Sequence, residues 1–224
     1  MNPSKSPKVK ICCISSIKEA EIAIKCGANA IGLVGPMPSG PGIIDDELIK
    51  EIAQIYNPSI TTFLLTSETN ADNIINHHNK VKTKTIQMVD ALTDCGYEQI
   101  RKELPGVKLV QVIHVLDESS IKEAKMVSKY VDYVLLDSGN PNLDVKLLGG
   151  TGRTHNWLLS QQIRQQIDIP VFLAGGIGID NVQKAIKTVQ PYGIDLCSSV
   201  RTNGKLDKSK LEKFFRAIRE PIFN

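Results

Sequence analysis

No segment of this chain has the makeup of a membrane helix. Its longest uncharged stretch, residues 26–44, carries five glycines and three prolines, whereas a membrane-spanning helix needs about 20 predominantly apolar residues. The N-terminus, MNPSKSPKVK, lacks the apolar core of a secretory signal. No C-x-x-C pair occurs among the five cysteines, which stand at 12, 13, 26, 95 and 197. An odd number without that spacing argues against a zinc site and against a disulfide framework, so a reducing cytoplasm is the expected location. Excess charge of one sign is also missing. Lys plus Arg number 27 and Asp plus Glu 24, a net +3. That is too small an excess to read as neutralisation of nucleic-acid phosphates. Glycine and proline, 16 and 11 of 224 residues, are at ordinary usage, which excludes collagen-like and low-complexity chains. What remains is 42% hydrophobic and 23% charged, the composition of a folded globular domain.

The chain is organised by a recurring theme. Apolar, β-branched runs occur at 8–14, 29–34, 59–65, 83–89, 107–115, 131–136, 168–174 and 192–198. Helical apolar spacing follows most of them, at 17–27, 45–56, 70–81, 119–131, 156–167, 179–189 and 207–218, and most weakly at 94–104. Run starts lie 21 to 37 residues apart, the size of a βα unit. Near-continuous apolar strands suit a parallel sheet buried on both faces. Eight strict βα repeats predict a closed (β/α)₈ TIM barrel. No linker divides the chain, so residues 1–224 are expected to form one domain. An open doubly wound sheet is the competing architecture, but the first βα turn lacks the G-x-G-x-x-G cradle.

In such a barrel, function resides at the C-terminal strand ends. Alternation in the first strand puts Lys10 and Cys12 on one face and Val9, Ile11 and Cys13 on the other. With the apolar trio facing the helices, Cys12 points into the barrel mouth. An inward Lys10 requires a buried anion, for which Asp195 on the neighbouring eighth strand is the candidate. Asp137 ends the sixth strand, where a catalytic carboxyl and a capping residue are both credible. The segments AGG (174–176) and CSS (197–199) follow strands seven and eight. Loops there often hold phosphate through backbone N–H groups, which makes Gly175, Gly176, Ser198 and Ser199 a phosphate-site candidate. Gly150 in GGTG and Arg153 lie in the long loop after strand six and are candidate substrate contacts. His114 ends strand five and is a further candidate. His77 and His78, in a polar helix, read as solvated. Trp157 reads as packing over the first turn of its helix.

These motifs occur in one order: KIC at 10–12, LLDS at 135–138, GGTGRTHNW at 149–157, LAGGI at 173–177 and IDLCSSV at 194–200. With GANAIGLV at 27–34 and NGKLD at 203–207, the chain resembles the phosphoribosylanthranilate isomerase family over nearly its whole length. The resemblance implies an Amadori rearrangement of N-(5-phosphoribosyl)anthranilate in tryptophan biosynthesis. It places the general base on Cys12 and the general acid on Asp137. No cofactor and no metal are expected. The partner is a small phosphorylated substrate rather than nucleic acid or membrane, and the chain is expected to be a monomer or homodimer. Three positions depart from the family pattern. Gly42 stands where an Arg usually meets the aryl carboxylate. Gln87-Met88-Val89-Asp90 replaces a Q-L-H-G pattern, and Cys13 replaces the Gly after KIC. The departures leave open a barrel acting on another phosphorylated aminosugar, or one that binds such a ligand without turning it over.

Overall fold

Parallel strands and helices alternate along the chain in a computed structural model, which describes residues 6–38, 40–56, 60–92, 96–139 and 154–219. The strands are β1 (Lys8–Ile11), β2 (Ala30–Val34), β3 (Thr61–Thr66), β4 (Thr85–Met88), β5 (Lys108–His114), β6 (Tyr133–Asp137), β7 (Val171–Leu173) and β8 (Gly193–Leu196). The helices are α1 (Ile17–Cys26), α2 (Asp46–Tyr56), α3 (Ala71–Val81), α4 (Tyr97–Glu103), α5 (Ser119–Val127), α6 (Trp157–Gln166), α7 (Val182–Val189) and α8 (Lys208–Arg219). Each lies within or close to its expected segment. The weakest helical pattern gives the shortest helix, α4, at seven residues. The strands pair in sequence order and close, with Lys8 opposite Gly193 and Ile11 opposite Leu196. This closure excludes the open sheet. A two-stranded ribbon, β9 (Arg201–Thr202) and β10 (Lys205–Leu206), precedes α8.

Two apolar layers hold the barrel. The outer one packs strand side chains such as Ile11, Ile31, Leu64, Ile86 and Leu136 against helix residues such as Ile49, Ile74, Ile163 and Phe214. The inner one fills the barrel with Phe63, Val110, Val112, Leu135 and Phe172. Phe172 meets Phe63, Tyr133 and Tyr192 edge to face, at centroid distances of 6.0, 5.7 and 5.5 Å. Such a filled interior is a packed core, so a ligand is confined to the strand ends and loops. Alternation in β1 holds as expected through Ile11: Val9 and Ile11 join the outer layer, and Lys10 is fully buried inside. Lys10 Nζ lies 2.8 Å from Asp195 Oδ2 and 5.2 Å from the Phe63 ring centroid.

Two expectations about exposure are corrected. His78 is buried, with Nε2 2.8 Å from the Thr83 carbonyl, and burial holds its pKa below the ordinary value. His77 Nε2 lies 2.9 Å from Asp46 Oδ1, fastening α3 to α2. His78 shares the buried face of α3 with Ile74, Ile75 and Val81, where a polar group needs a hydrogen-bond partner in place of water, and His77 lies half-buried at its edge. Trp157 packs against the outer core, as expected.

Candidate active site

At the C-terminal strand ends a cleft opens to solvent. Cys12, Asp137, Gly175, Gly176, Ser198 and Ser199 all line it. Six residues proposed from separate motifs thus share one cavity. Gly150 and Arg153 lie outside the described residues. Around the ring β7 and β8 stand between β6 and β1, so the glycine and serine loops are flanked by Asp137 on one side and Cys12 on the other.

Cys12 follows β1 and is 6% exposed. Its N–H donates to the Leu196 carbonyl at 2.7 Å, continuing the β1–β8 ladder. Gly32 on β2 leaves room for it: a Cβ there would lie 3.0 Å from Cys12 Sγ and 3.1 Å from Lys10 Nζ. Burial disfavours the Lys10 ammonium, but Asp195 and then Cys12 outweigh it and hold the Lys10 pKa above its ordinary value. Burial pushes the Asp195 carboxyl up while Lys10 pulls it down. With Nζ at 2.8 Å from Oδ2, the ion pair is the state this geometry supports. Cys12 and the Lys10–Asp195 pair thus lie together beneath the cleft, beside Gly32.

Asp137 ends β6 and is 8% exposed. Burial pushes its carboxyl above the ordinary value, against the Ser138 N–H, which donates to Oδ1 at 2.8 Å, and against the charges of His114 and Lys10. A carboxyl raised in this way keeps its proton to higher pH, as a general acid requires. His114 is the β5 partner of Asp137 in register. Its Nε2 lies 3.1 Å from the Val89 carbonyl, and it stands behind Asp137 rather than among the cleft-lining residues.

Gly175 and Gly176 both have positive φ, 78° and 62°. A Cβ on Gly175 would lie 2.8 Å from Ser138 Oγ, so the turn after β7 is pressed against the residue that follows Asp137. A Cβ on Gly178 would lie 3.3 Å from Ser199 Cβ, which shows the β7 and β8 loops in contact. In the sequence the helical spacing at 179–189 follows AGG. In the structure α7 begins at Val182, and Asn181 accepts from the Gly178 N–H and donates to the Gly176 carbonyl, both at 2.9 Å. The segment after β7 is therefore a glycine turn braced by Asn181, not the N-terminus of α7.

Cys13 departs from its expected place among the helices. Its φ of 61° breaks the alternation of β1, so its side chain turns into the cleft and only Ile14 rejoins the outer layer. The loop after β2 closes over it. Gly42 has φ 77°, and a Cβ there would lie 2.5 Å from Cys13 Cβ. No side chain fits at Gly42 without moving that loop. Gln87, Asp195, Cys197 and Met37 also line the cleft and complete its wall. Asp195 is announced in the sequence as the partner of Lys10, and the others only by their positions at strand ends or in the loop after one.

Arg201 fixes the loop after β1 from below. Its guanidinium donates to the carbonyls of Cys12 and Cys13 and lies 3.1 Å from Glu19 Oε1. Burial opposes the charge on Glu19, but the N–H of Leu206, Arg201 and the N–H of Ser15 hold its carboxyl below the ordinary value.

Comparison with known proteins assigns this architecture. The family model for N-(5'-phosphoribosyl)anthranilate (PRA) isomerase matches residues 9–217. The chain belongs to the phosphoribosylanthranilate isomerase family. It is 33% identical to the N-(5'-phosphoribosyl)anthranilate isomerase of Methanosarcina acetivorans, over 95% of this chain and 93% of that protein. It is 31% identical to isomerase 2 of Methanosarcina mazei, over 96% of each. Among solved structures, the isomerase of Pyrococcus furiosus superposes with a TM-score of 0.77 at 29% identity, covering 95% of this chain and 98% of that one. The family is one of isomerases acting in tryptophan biosynthesis, and its barrel is the one described above.

Proposed function

We propose that this chain rearranges N-(5-phosphoribosyl)anthranilate to the 1-deoxyribulose phosphate, with Asp137 as general acid and Cys12 as general base. The observation that carries this reading is the arrangement of Asp137 and Cys12 on either flank of the Gly175-Gly176 and Ser198-Ser199 loops in one cleft. With the phosphate held by those loops, the sugar reaches between acid and base. Protonated Asp137 gives its proton to the furanose ring oxygen, and the ring opens to a Schiff base. The Cys12 thiolate then takes the proton from sugar C2, giving an enolamine that tautomerises to the ketose. One acid and one base complete the reaction. The wall of Val34, Leu65, Val89 and Val112 and the loop residues Met37 and Pro41 offers an apolar surface to the aryl ring.

The filled space at Gly42 supports one qualification of substrate. The aryl carboxylate is met by backbone groups or by Arg153, or the ring carried is a different one on the same phosphorylated aminosugar. The reading further places the chain in the cytoplasm, as a monomer or homodimer acting on a small phosphorylated molecule. No helix among the described residues is long and apolar enough to cross a membrane. The test is rescue of a tryptophan auxotroph that lacks this isomerase. The wild-type chain is expected to restore growth, and Cys12→Ser or Asp137→Asn to fail. Absence of growth with folded, expressed wild type would overturn the assignment of substrate.

A further inference from the structure

Three cysteines meet at the cleft rim, and the proposed reaction uses only one. Cys13 Sγ and Cys197 Sγ lie 2.9 Å apart, although 184 residues separate them. Cys13 is buried; Cys197 is partly exposed, and both line the cleft, so a small oxidant that enters it reaches them. We propose that Cys13 and Cys197 form a redox modification site, closing to a reversible disulfide that ties the end of β1 to the end of β8. This inference stands on the sulfur geometry and does not depend on the isomerase reading.

The pair is prepared for the reaction. A disulfide bond is about 2.05 Å long, so closure requires the sulfurs to approach by less than about 1 Å. The two sulfurs share a hydrogen bond. Hydrogen bonds with Cys12 and Cys197, then burial, push the Cys13 thiol well up. The hydrogen bond with Cys13, helped by the Arg201 charge and opposed by burial, draws Cys197 down. Cys197 is accordingly the sulfur that attacks. With a hydroperoxide as oxidant, the Cys197 thiolate displaces alkoxide from the O–O bond and becomes a sulfenic acid, and the alkoxide takes a proton to leave as alcohol. Cys13 sulfur then attacks the sulfenic sulfur, the S–O bond breaks, and the Cys13 proton leaves with the hydroxyl as water. In total two thiols lose two hydrogen atoms, and one hydroperoxide becomes alcohol and water. A dithiol reverses the bond by thiol–disulfide exchange.

Cys12 competes poorly for Cys13. A bond between Cys12 and Cys13 would join α-carbons about 3.8 Å apart across a trans peptide, short of the roughly 4.4–6.8 Å that disulfides adopt. Cys26 is the last residue of α1 and is not among the cleft-lining residues.

The experiment exposes the full reduced chain to stoichiometric hydrogen peroxide, blocks remaining thiols with an alkylating agent, and maps the peptides without reduction. The expected product is one peptide containing Cys13 joined to one containing Cys197, lost on treatment with dithiothreitol. Because Cys12 and Cys13 share a peptide, the variants assign the bond. Cys12→Ser is expected to keep the link, and Cys13→Ser and Cys197→Ser to abolish it, with circular dichroism confirming that each folds. A link that survives in Cys13→Ser, or is lost in Cys12→Ser, would assign the bond to Cys12 and overturn the proposal. So would oxidation of wild type that stops at a sulfinic acid without any cross-link.

Discussion

Asp137 shows how one residue's surroundings decide its role. Burial raises its carboxyl pKa, and the Ser138 N–H and the nearby positive charges oppose the shift without cancelling it. A raised acid is protonated to higher pH, so catalysis is lost as pH rises through its folded value. Turnover is therefore expected to fall on the alkaline side, and Asp137→Asn to remove that limb together with most of the rate. General acids and bases contribute about 10²–10⁴-fold each. Steady-state kcat for Asp137→Asn and Cys12→Ser is expected to drop within that range while circular dichroism stays unchanged. Retention of a third of wild-type kcat by Cys12→Ser would remove the sulfur from the mechanism. These two residues are legible in sequence because strand position and side-chain chemistry coincide there. Cys13 is not, since an alternating strand pattern predicts an outward side chain and only its positive φ turns it inward.

Among the elements, the loop after β1 is held by contacts from elements far along the chain. Arg201 and Glu19 are 8% and 9% exposed at their side chains, and together they tie α1, the β9–β10 ribbon and the Cys12 and Cys13 carbonyls. Removing one partner of a buried ion pair typically costs about 3–5 kcal/mol, because the other charge is left uncompensated. Glu19→Gln is expected to lose stability near the lower end of that range in urea denaturation at neutral pH. The folded pKa of Glu19 lies below its ordinary 4.5, so its contribution is complete above that value and fades as pH drops through the lower folded one. The difference between wild type and Glu19→Gln should shrink in acid; a constant difference would mean that charge is not what Glu19 contributes. The loop after β2 yields an opposite expectation to the one its sequence suggests. Restoring the family's usual residue through Gly42→Arg is expected to raise KM or unfold the loop, because φ 77° and the contact with Cys13 leave no space for a side chain. An improved KM would show that the loop rearranges freely. Element order and approximate bounds were readable from periodicity, since buried parallel strands and amphipathic helices have different periods. Packing between loops was not, because it depends on contacts such as Gly178 with Ser199 and Gly42 with Cys13 that no local pattern encodes.

The whole barrel gathers that loop packing at one end, and closure was inferable only from the number of repeats. β7 pairs with β8, which makes the Gly175-Gly176 turn and the Ser198-Ser199 segment neighbours above a core already filled by Phe63 and Phe172, and closure of β1 on β8 sets Cys12 beside them. An anion bound there touches loops that lie together only in the folded barrel, so it should bind the native state and not the unfolded chain. The gain in stability is then RT ln(1 + [L]/Kd), about 2.7 kcal/mol at a hundredfold excess over Kd. For chains of about 150–250 residues each kcal/mol shifts Tm by roughly 2–4 °C, so saturating inorganic phosphate is expected to raise Tm by about 5–10 °C over chloride at equal ionic strength. Ser199→Asp places a carboxylate at the exposed rim of the cradle, where it repels the dianion, and its phosphate-dependent shift should vanish while its Tm in chloride stays close to wild type. A full phosphate shift in Ser199→Asp would put the anion elsewhere on the molecule and detach the β7 and β8 loops from substrate binding.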